Sequence, residues 1–150
     1  MQRNSTYPFA LKGFSLFLLY LLYESLGNIY LFLPPLFGVL FFYFIRALDR
    51  QDVSLLLLVM AMLLLYEADK GYLFFSSLVY FAFVYKFLRP KLLQMIECKR
   101  CILFIYIVAA YIGFWLFTLL LQQVLWMEMP TLDWHVLWYI IFEFFVVTLL

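Results

Sequence analysis

The sequence predicts an all-α membrane protein, a six-transmembrane-helix bundle in which residues 1–150 form a single integral membrane domain. The first observation is composition: 69% of the residues are hydrophobic, 23% are aromatic and only 13% are charged. A water-soluble domain is about half apolar and about a quarter charged, so the excess apolar side chains must face lipid. The second observation is that the charged residues fall in clusters between long apolar runs. The third is that the basic clusters share one side of the implied topology.

The first two apolar runs are each too long for one crossing, and each predicts a helical hairpin. Residues 14–45 would form one helix of roughly 48 Å, whereas the hydrocarbon core is about 30 Å thick. A turn near 24–28 divides this run, and the polar stretch 67–71 divides the next. A break at 127–133 separates two further spans. The predicted helices are therefore approximately 13–27, 29–46, 53–67, 71–88, 101–126 and 134–150.

The first and third spans need separate justification. Arg3 and Lys12 precede an apolar run, as in a signal peptide, but no small-x-small cleavage site follows and the apolar character continues to Ile45. We therefore expect an uncleaved membrane helix. The span 53–67 is short, and it crosses only if the helix extends into the flanking polar residues or if the bilayer thins locally.

Basic residues test this topology, because they accumulate in cytoplasmic loops. With six crossings the connections alternate sides, and nine of the ten basic residues then share one side: Arg3, Lys12, Arg46, Arg50, Lys86, Arg89, Lys91, Lys99 and Arg100. Only Lys70 lies on the other side, which carries five acidic residues: Glu24, Glu67, Asp69, Glu128 and Asp133. Both termini of this multi-pass membrane protein are therefore predicted to be cytoplasmic.

Glu67 and Asp69 are candidate functional residues because they lie where helix three meets helix four, next to Lys70 and Gly71. A carboxylate at or inside the membrane boundary is costly unless it is paired or wet, which makes it a functional candidate. The alternative is an outer loop tip that water solvates, with Lys70 as a local partner.

Glu143 lies in the middle of the last apolar span, where a charged carboxylate in lipid costs about 2.5–3.5 kcal/mol. It is expected to face the bundle interior, as a polar clamp between helices or as part of a proton or substrate relay. The candidate partners are Gln122, Gln123, Tyr106, Tyr111 and Thr118 on helix five.

Two further pairs are candidates for helix packing. Pro34 and Pro35 are expected to open helix two, where the missing N–H donors are tolerated. Ala109 and Gly113 are four residues apart on helix five, a small-xxx-small spacing that permits close approach of another helix.

The remaining polar features give little support to an enzyme. Cys98 and Cys101 have CxxC spacing, but one such pair supplies only two of the four ligands zinc usually takes. The single histidine, His135, lies across the membrane from them, and the chain has no Gly-rich phosphate loop or nucleophile elbow. We expect no enzyme activity, cofactor, metal or nucleic-acid partner. Anionic lipid or an acidic partner is a candidate for the basic cytoplasmic loop: Lys86, Arg89, Lys91, Lys99 and Arg100.

Several short stretches resemble the rod-shape-determining MreD family: Leu33-Pro34-Pro35-Leu36, Ser54–Leu58, Leu64-Leu65-Tyr66-Glu67 with Gly71 four residues on, Ser76–Tyr80, and the basic Lys86–Lys91. The resemblance implies a bundle similar to the substrate-binding (S) components of vitamin transporters. It also implies a non-catalytic role in cell elongation and peptidoglycan synthesis. The implied partners are MreC, the polymerase RodA and the elongation transpeptidase.

Two functions remain open from the sequence. One is a non-catalytic scaffold that docks other membrane helices, which is expected to expose an apolar or small-residue groove. The other is a small-molecule-binding component of a transporter, which is expected to show a pocket lined by convergent polar groups.

Overall fold

The structure is a computed structural model that describes residues 6–128 and 131–150, with side chains from residue 10 onward. The described residues form six helices and no β-strand. The all-helical class is therefore confirmed, and each predicted segment corresponds to one helix. The helices are α1 (Thr6–Ile29), α2 (Phe37–Arg50), α3 (Val53–Lys70), α4 (Ser76–Met95), α5 (Lys99–Leu125) and α6 (His135–Leu149).

The start of α2 departs most from the sequence prediction. Helix α2 begins only at Phe37, and residues 30–36 form a non-helical segment, so the predicted range 29–46 is wrong at its start. Pro34 and Pro35 therefore precede α2 instead of occupying its first turn. Proline disfavours helical backbone in the residue before it, which explains why α1 does not run on into α2.

Helix α4 is shifted relative to the predicted range 71–88, because it begins at Ser76 and continues through Pro90 to Met95. The five residues predicted as a basic loop therefore lie on helices, and three of them, Lys86, Arg89 and Lys91, are on α4. Pro90 cannot donate to the Lys86 carbonyl, but both residues are exposed there, so solvent or headgroups can satisfy that oxygen. The other two members, Lys99 and Arg100, lie in the first turn of α5.

The segments that connect the helices lie alternately at two ends of the bundle, and polar contacts join those at the same end. At one end, which we name the acidic end, Asn28 Nδ2 donates to Asp69 Oδ1 at 2.6 Å, and Lys70 Nζ donates to Asn28 Oδ1 at 3.0 Å. At the other, the basic end, Arg89 Nη2 lies 2.7 Å from Asp49 Oδ2. Helices α1 and α3 thus end together, and the C-terminal parts of α2 and α4 meet at the basic end.

The core is an aromatic cluster around the start of α2. Phe37 is 1% exposed, and its ring centroid lies 4.9–5.0 Å from those of Tyr66, Phe81 and Phe114 on α3, α4 and α5. Helix α1 packs mainly on α3, so its outer face is bare. The exposed fractions there range from 45% to 71%, at Leu11, Phe14, Leu16, Leu18, Leu19, Leu22, Leu26 and Ile29.

Two of the described helices are long and apolar enough to cross a membrane, judged by length and composition. They are Ala10–Ile29 within α1, with a mean hydropathy of 1.2, and Lys99–Leu125, with a mean hydropathy of 2.3. Helix α6 is also apolar but shorter. These segments favour association of the chain with a membrane.

Candidate functional site

Glu67 lies at the C-terminal end of α3 and is completely buried. Its Oε2 accepts from the Phe75 amide at 2.7 Å, while its Oε1 accepts from the amide and hydroxyl of Ser77 at 2.6 and 2.5 Å. The Ser76 hydroxyl donates to the same Oε1 at 3.2 Å. The first amides of a helix have no partner within the helix, and its N-terminus attracts negative charge. Glu67 therefore caps α4 from a neighbouring helix.

The structure separates Glu67 from Asp69, although they lie two residues apart. Asp69 is exposed and makes a 3.2 Å ion pair with Lys70. Gly71, with φ of 72°, caps the C-terminus of α3, and the Tyr72 amide that follows it donates to the Glu67 carbonyl at 3.0 Å. Such left-handed backbone favours glycine. The alternative prediction of a turn solvated by water is therefore correct for Asp69 and wrong for Glu67.

Glu143 is also completely buried, and it lies against the start of α2. The Val39 amide donates to its Oε2 at 3.0 Å, and the Tyr111 hydroxyl donates to Oε1. A Cβ added to Gly38 would lie 2.6 Å from Oε2, so this glycine leaves room for the carboxylate. Of the five candidate partners only Tyr111 contacts Glu143 among the described hydrogen bonds. The backbone of α2, which sequence analysis missed, supplies the other donor.

The two glutamates therefore occupy equivalent sites. Each carboxylate comes from one helix and caps the N-terminus of another. Each capped helix also follows a non-glycine residue in left-handed conformation, Leu36 with φ of 56° before α2 and Phe75 with φ of 67° before α4. This backbone costs roughly 1–2 kcal/mol, and a turn of this kind directs successive amides toward an anion. Nothing in hydropathy or spacing reveals which helix start a buried glutamate will reach.

A π turn at Ala109–Gly113 interrupts the α-helical backbone of α5 where α4 packs on it. The Tyr80 hydroxyl of α4 donates to the Ala109 carbonyl at 2.6 Å. A Cβ added to Gly113 would overlap the same hydroxyl. The two small residues therefore receive one tyrosine of the neighbouring helix, and a π turn is a common place for such an irregular contact.

A cavity of about 270 Å³ opens at the acidic end, between α1, the segment 30–36, α3, α5 and α6. Tyrosine side chains make up much of its lining: Tyr23, Tyr66, Tyr72, Tyr111 and Tyr139. The segment 30–36 is held there by the Tyr23 hydroxyl, which donates to the Pro34 carbonyl at 2.7 Å, and by the Tyr139 hydroxyl, which donates to the Leu31 carbonyl. The cavity is therefore aromatic and partly fixed by hydrogen bonds.

Glu24 is the buried acidic group of this acidic-end cavity, with 8% of its surface exposed. Lys70, Asp133 and His135 also line the cavity. Lys70 is already paired with Asp69, so its positive charge is compensated. The lining thus contains two carboxylates, of Glu24 and Asp133, and one lysine ammonium group. Sequence analysis placed Glu24 on the acidic side but did not identify it as a site residue.

A second concavity, which we name the lateral groove, runs along the side of the bundle between α1, α2 and α3. Its volume is about 400 Å³. Apart from three tyrosines, its lining is aliphatic, with Leu16, Leu19, Leu36, Val39, Leu40, Leu55, Leu58, Val59 and Met62. Such an apolar channel, continuous with the bare face of α1, offers shape and hydrophobic surface but few polar contacts.

The two cysteines lie at the basic end, and both are exposed. Cys98 is the N-cap of α5, and its sulfur accepts from the Cys101 amide at 3.4 Å. A hydrogen bond with the Cys101 thiol lowers the pKa of Cys98 below its ordinary value. Among the residues that the structure describes, no group of three or more His, Cys, Asp or Glu side chains is arranged to hold a metal ion.

The geometry thus offers two candidate sites, the acidic-end cavity and the lateral groove, on a frame held by two buried glutamates. Comparison of the chain with protein-family models, with curated proteins and with solved structures gives no match in any of the three.

Proposed function

We propose that this chain is a six-span protein of the bacterial inner membrane that acts as a non-catalytic scaffold of the cell-elongation machinery, with both termini cytoplasmic. The lateral groove is the observation that carries this proposal. It is an apolar concavity of about 400 Å³ on the side of the bundle, and a transmembrane helix of a partner is expected to pack side chains into it. The resemblance of the sequence to the MreD family suggests the partners, which are MreC, RodA and the elongation transpeptidase.

The distribution of charge supports the membrane placement. Arg46, Arg50, Arg89 and Lys99 gather at the basic end, while Asp69 and Asp133 lie at the acidic end. Membrane proteins carry an excess of basic residues on their cytoplasmic side, so this arrangement fits a membrane protein whose basic end is cytoplasmic. Between the two ends, the bare face of α1 is the kind of extended apolar surface that soluble monomers rarely expose.

The irregular segment 30–36 also suits a membrane protein of this kind. Helix α2 has 14 residues and is therefore only about 21 Å long, so the chain reaches its start without helical backbone. Non-helical backbone at membrane depth is tolerated where it is buried in protein or lines a cavity. The second condition holds here, because Leu31 and the run 33–35 line the acidic-end cavity. Pro34 is also buried, whereas Leu31 and Phe32 are exposed.

The buried carboxylates support a structural role over a relay. Glu143 was the sequence candidate for a proton or substrate relay, and Glu67 was a candidate functional carboxylate at the membrane boundary. Both are occupied as helix caps. A relay group must exchange its proton with a neighbour, which would release the amides it holds. Their geometry favours a rigid bundle that presents surfaces to other proteins.

Site-specific photocrosslinking tests the scaffold in cells. A photoreactive phenylalanine at Leu19, in the groove, is expected to crosslink to MreC, RodA or the transpeptidase. The same group at Phe83 is the matched control, because that residue is 58% exposed but lies on α4, away from the groove. Depletion of the protein is expected to round the cells. Equal crosslinking from both positions, or capture of an energising ATPase module instead, would contradict the scaffold.

The acidic-end cavity favours a second candidate function, binding of a small organic cation as part of a transporter. Cations bind to the faces of aromatic rings, and a desolvated site strengthens that attraction. The five tyrosines around the buried Glu24 supply both rings and negative charge. The volume of about 270 Å³ suits a compact ligand of this class.

Choline and its neutral carbon isostere 3,3-dimethyl-1-butanol test this second function on the purified protein. The two molecules have nearly the same shape, so only charge recognition separates them. Choline is expected to raise the unfolding temperature and the isostere to leave it unchanged, with the choline effect lost in Glu24→Gln. Equal effects of the two molecules, or a choline effect that survives Glu24→Gln, would eliminate the cation site.

A further inference from the structure

A groove of about 450 Å³ lies at the basic end, between the C-terminal parts of α2 and α4 and the start of α5. We name it the basic groove. Its charged lining is Arg46, Arg50, Arg89, Lys99 and one carboxylate, Asp49, so four cations face one anion. Arg89 is 2.7 Å from Asp49, and within the described residues the other three cations make no ion pair. The groove therefore has three cations available for an anionic ligand.

The positions of these cations follow from the helices. Arg46 and Arg50 are four residues apart on α2 and share one face of the helix. Lys99 lies in the first turn of α5, where the partial positive charge of the helix end adds to its own. Cations are unfavourable at a helix N-terminus, so an anion placed there relieves repulsion as well as gaining attraction.

The floor of the basic groove is apolar. It is formed by Phe42 and Ile45 of α2 and by Ile102 and Leu103 of α5, and Leu93 of α4 closes one side. Phe104 on the adjacent surface is 44% exposed, so the apolar character continues away from the cations. A ligand that matches this site has a negatively charged head and an apolar tail.

We propose that the basic groove binds one anionic phospholipid, with its phosphate among Arg46, Arg50 and Lys99 and an acyl chain along the apolar floor. An acidic peptide would match the cations but not the floor. Basic pockets between membrane helices on the cytoplasmic side bind lipid headgroups in this way. The inference rests on the membrane placement proposed above, and it is independent of the scaffold role.

Lipid-dependent stability of the purified protein tests the site. Phosphatidylglycerol added to the detergent-solubilised protein is expected to raise the unfolding temperature, and phosphatidylcholine is expected to have little effect. The groove variant combines Arg46→Gln, Arg50→Gln and Lys99→Gln, and its apparent affinity for phosphatidylglycerol is expected to fall at least tenfold. The control combines Lys86→Gln, Lys91→Gln and Arg100→Gln, which removes the same charge outside the groove lining.

Each outcome of this comparison decides the proposal. Loss of the phosphatidylglycerol effect in the groove variant alone supports a specific site. Equal loss in both variants means that general surface charge attracts the lipid, and no loss in either means that the groove is not the site. Photoactivatable phosphatidylglycerol on the unmodified protein avoids any folding defect of the variants. Its crosslinks are expected on Phe42–Arg50 and Leu93–Tyr106, and crosslinks spread evenly over the lipid-facing surface would overturn the site.

Thiol labelling separates failure of the lipid site from failure of the membrane placement. Cys98 and Cys101 lie at the basic end, so a membrane-impermeant maleimide is expected to label them only when it reaches the cytoplasmic side. A cysteine introduced as Ala68→Cys, at an exposed position of the acidic end and together with Cys98→Ser and Cys101→Ser, is expected to react only from the other side. Opposite labelling without lipid binding would refute the groove alone. Labelling of both positions from the same side would refute the membrane placement.

Discussion

Replacing Glu67 by leucine is expected to lower the free energy of unfolding by at least about 3 kcal/mol. Hydrogen bonds to a charged group contribute about 1.5–3 kcal/mol each, and the substitution leaves one buried and one partly buried amide at the start of α4 without an acceptor. The Phe75 and Ser77 amides lose their partners together with the hydroxyl of Ser77. Denaturation in sodium dodecyl sulfate, followed by circular dichroism, measures the change.

Two further variants show whether this loss comes from the cap. Glu67→Gln keeps one acceptor oxygen but turns an NH₂ group toward the remaining donors, so we expect an intermediate loss. Asp69→Asn removes a charge only two residues away at an exposed ion pair, and its effect is expected to stay within about 0.5 kcal/mol. Hydrogen exchange at 75–77 is expected to accelerate in Glu67→Leu. If Glu67→Leu were as stable as Asp69→Asn, the carboxylate would not be the cap of α4.

The sequence predicted the number of helices because each depends on a local property. Six apolar runs lie between polar breaks, and the six helices follow them. The ends were less predictable because they depend on tertiary contacts. The segment 30–36 is stabilised by hydroxyls of Tyr23 and Tyr139, which come from α1 and α6, and Pro90 remains inside α4 at an exposed position. A hydropathy profile reveals neither the tyrosine hydrogen bonds nor the exposure of Pro90.

The candidate residues were predictable as positions but not as roles. A glutamate inside an apolar span must be buried and paired, and Glu143 is both. Its main-chain donor, however, comes from α2, more than a hundred residues away along the chain. The Ala109 and Gly113 spacing predicted close approach of a helix, but Tyr80 was not identifiable as the side chain received. The groups that contact each candidate residue depend on how the helices pack, and the periodicity of a single sequence does not predict helix packing.

The contact between Gly113 and Tyr80 gives the second large effect. Gly113→Ala is expected to destabilise the protein by roughly 2–3 kcal/mol, because overpacking a tight contact typically costs about 1–3 kcal/mol and this Cβ would overlap the Tyr80 hydroxyl. Tyr80→Phe removes the hydrogen bond to the Ala109 carbonyl and is expected to cost about 1 kcal/mol. Denaturation in sodium dodecyl sulfate again provides the measurement.

The double variant distinguishes this contact from general damage to α5. Because Tyr80→Phe removes the atom that the new methyl group meets, the double variant is expected to be at least about 1 kcal/mol more stable than the sum of the single losses predicts. Gly27→Ala is the matched control, since a Cβ there meets nothing within 4 Å and alanine is favoured over glycine in a helix. It is expected to leave stability unchanged or to raise it. Simple additivity of Gly113→Ala and Tyr80→Phe would mean that the two helices do not meet at this pair, and the packing of α4 on α5 would have to be revised.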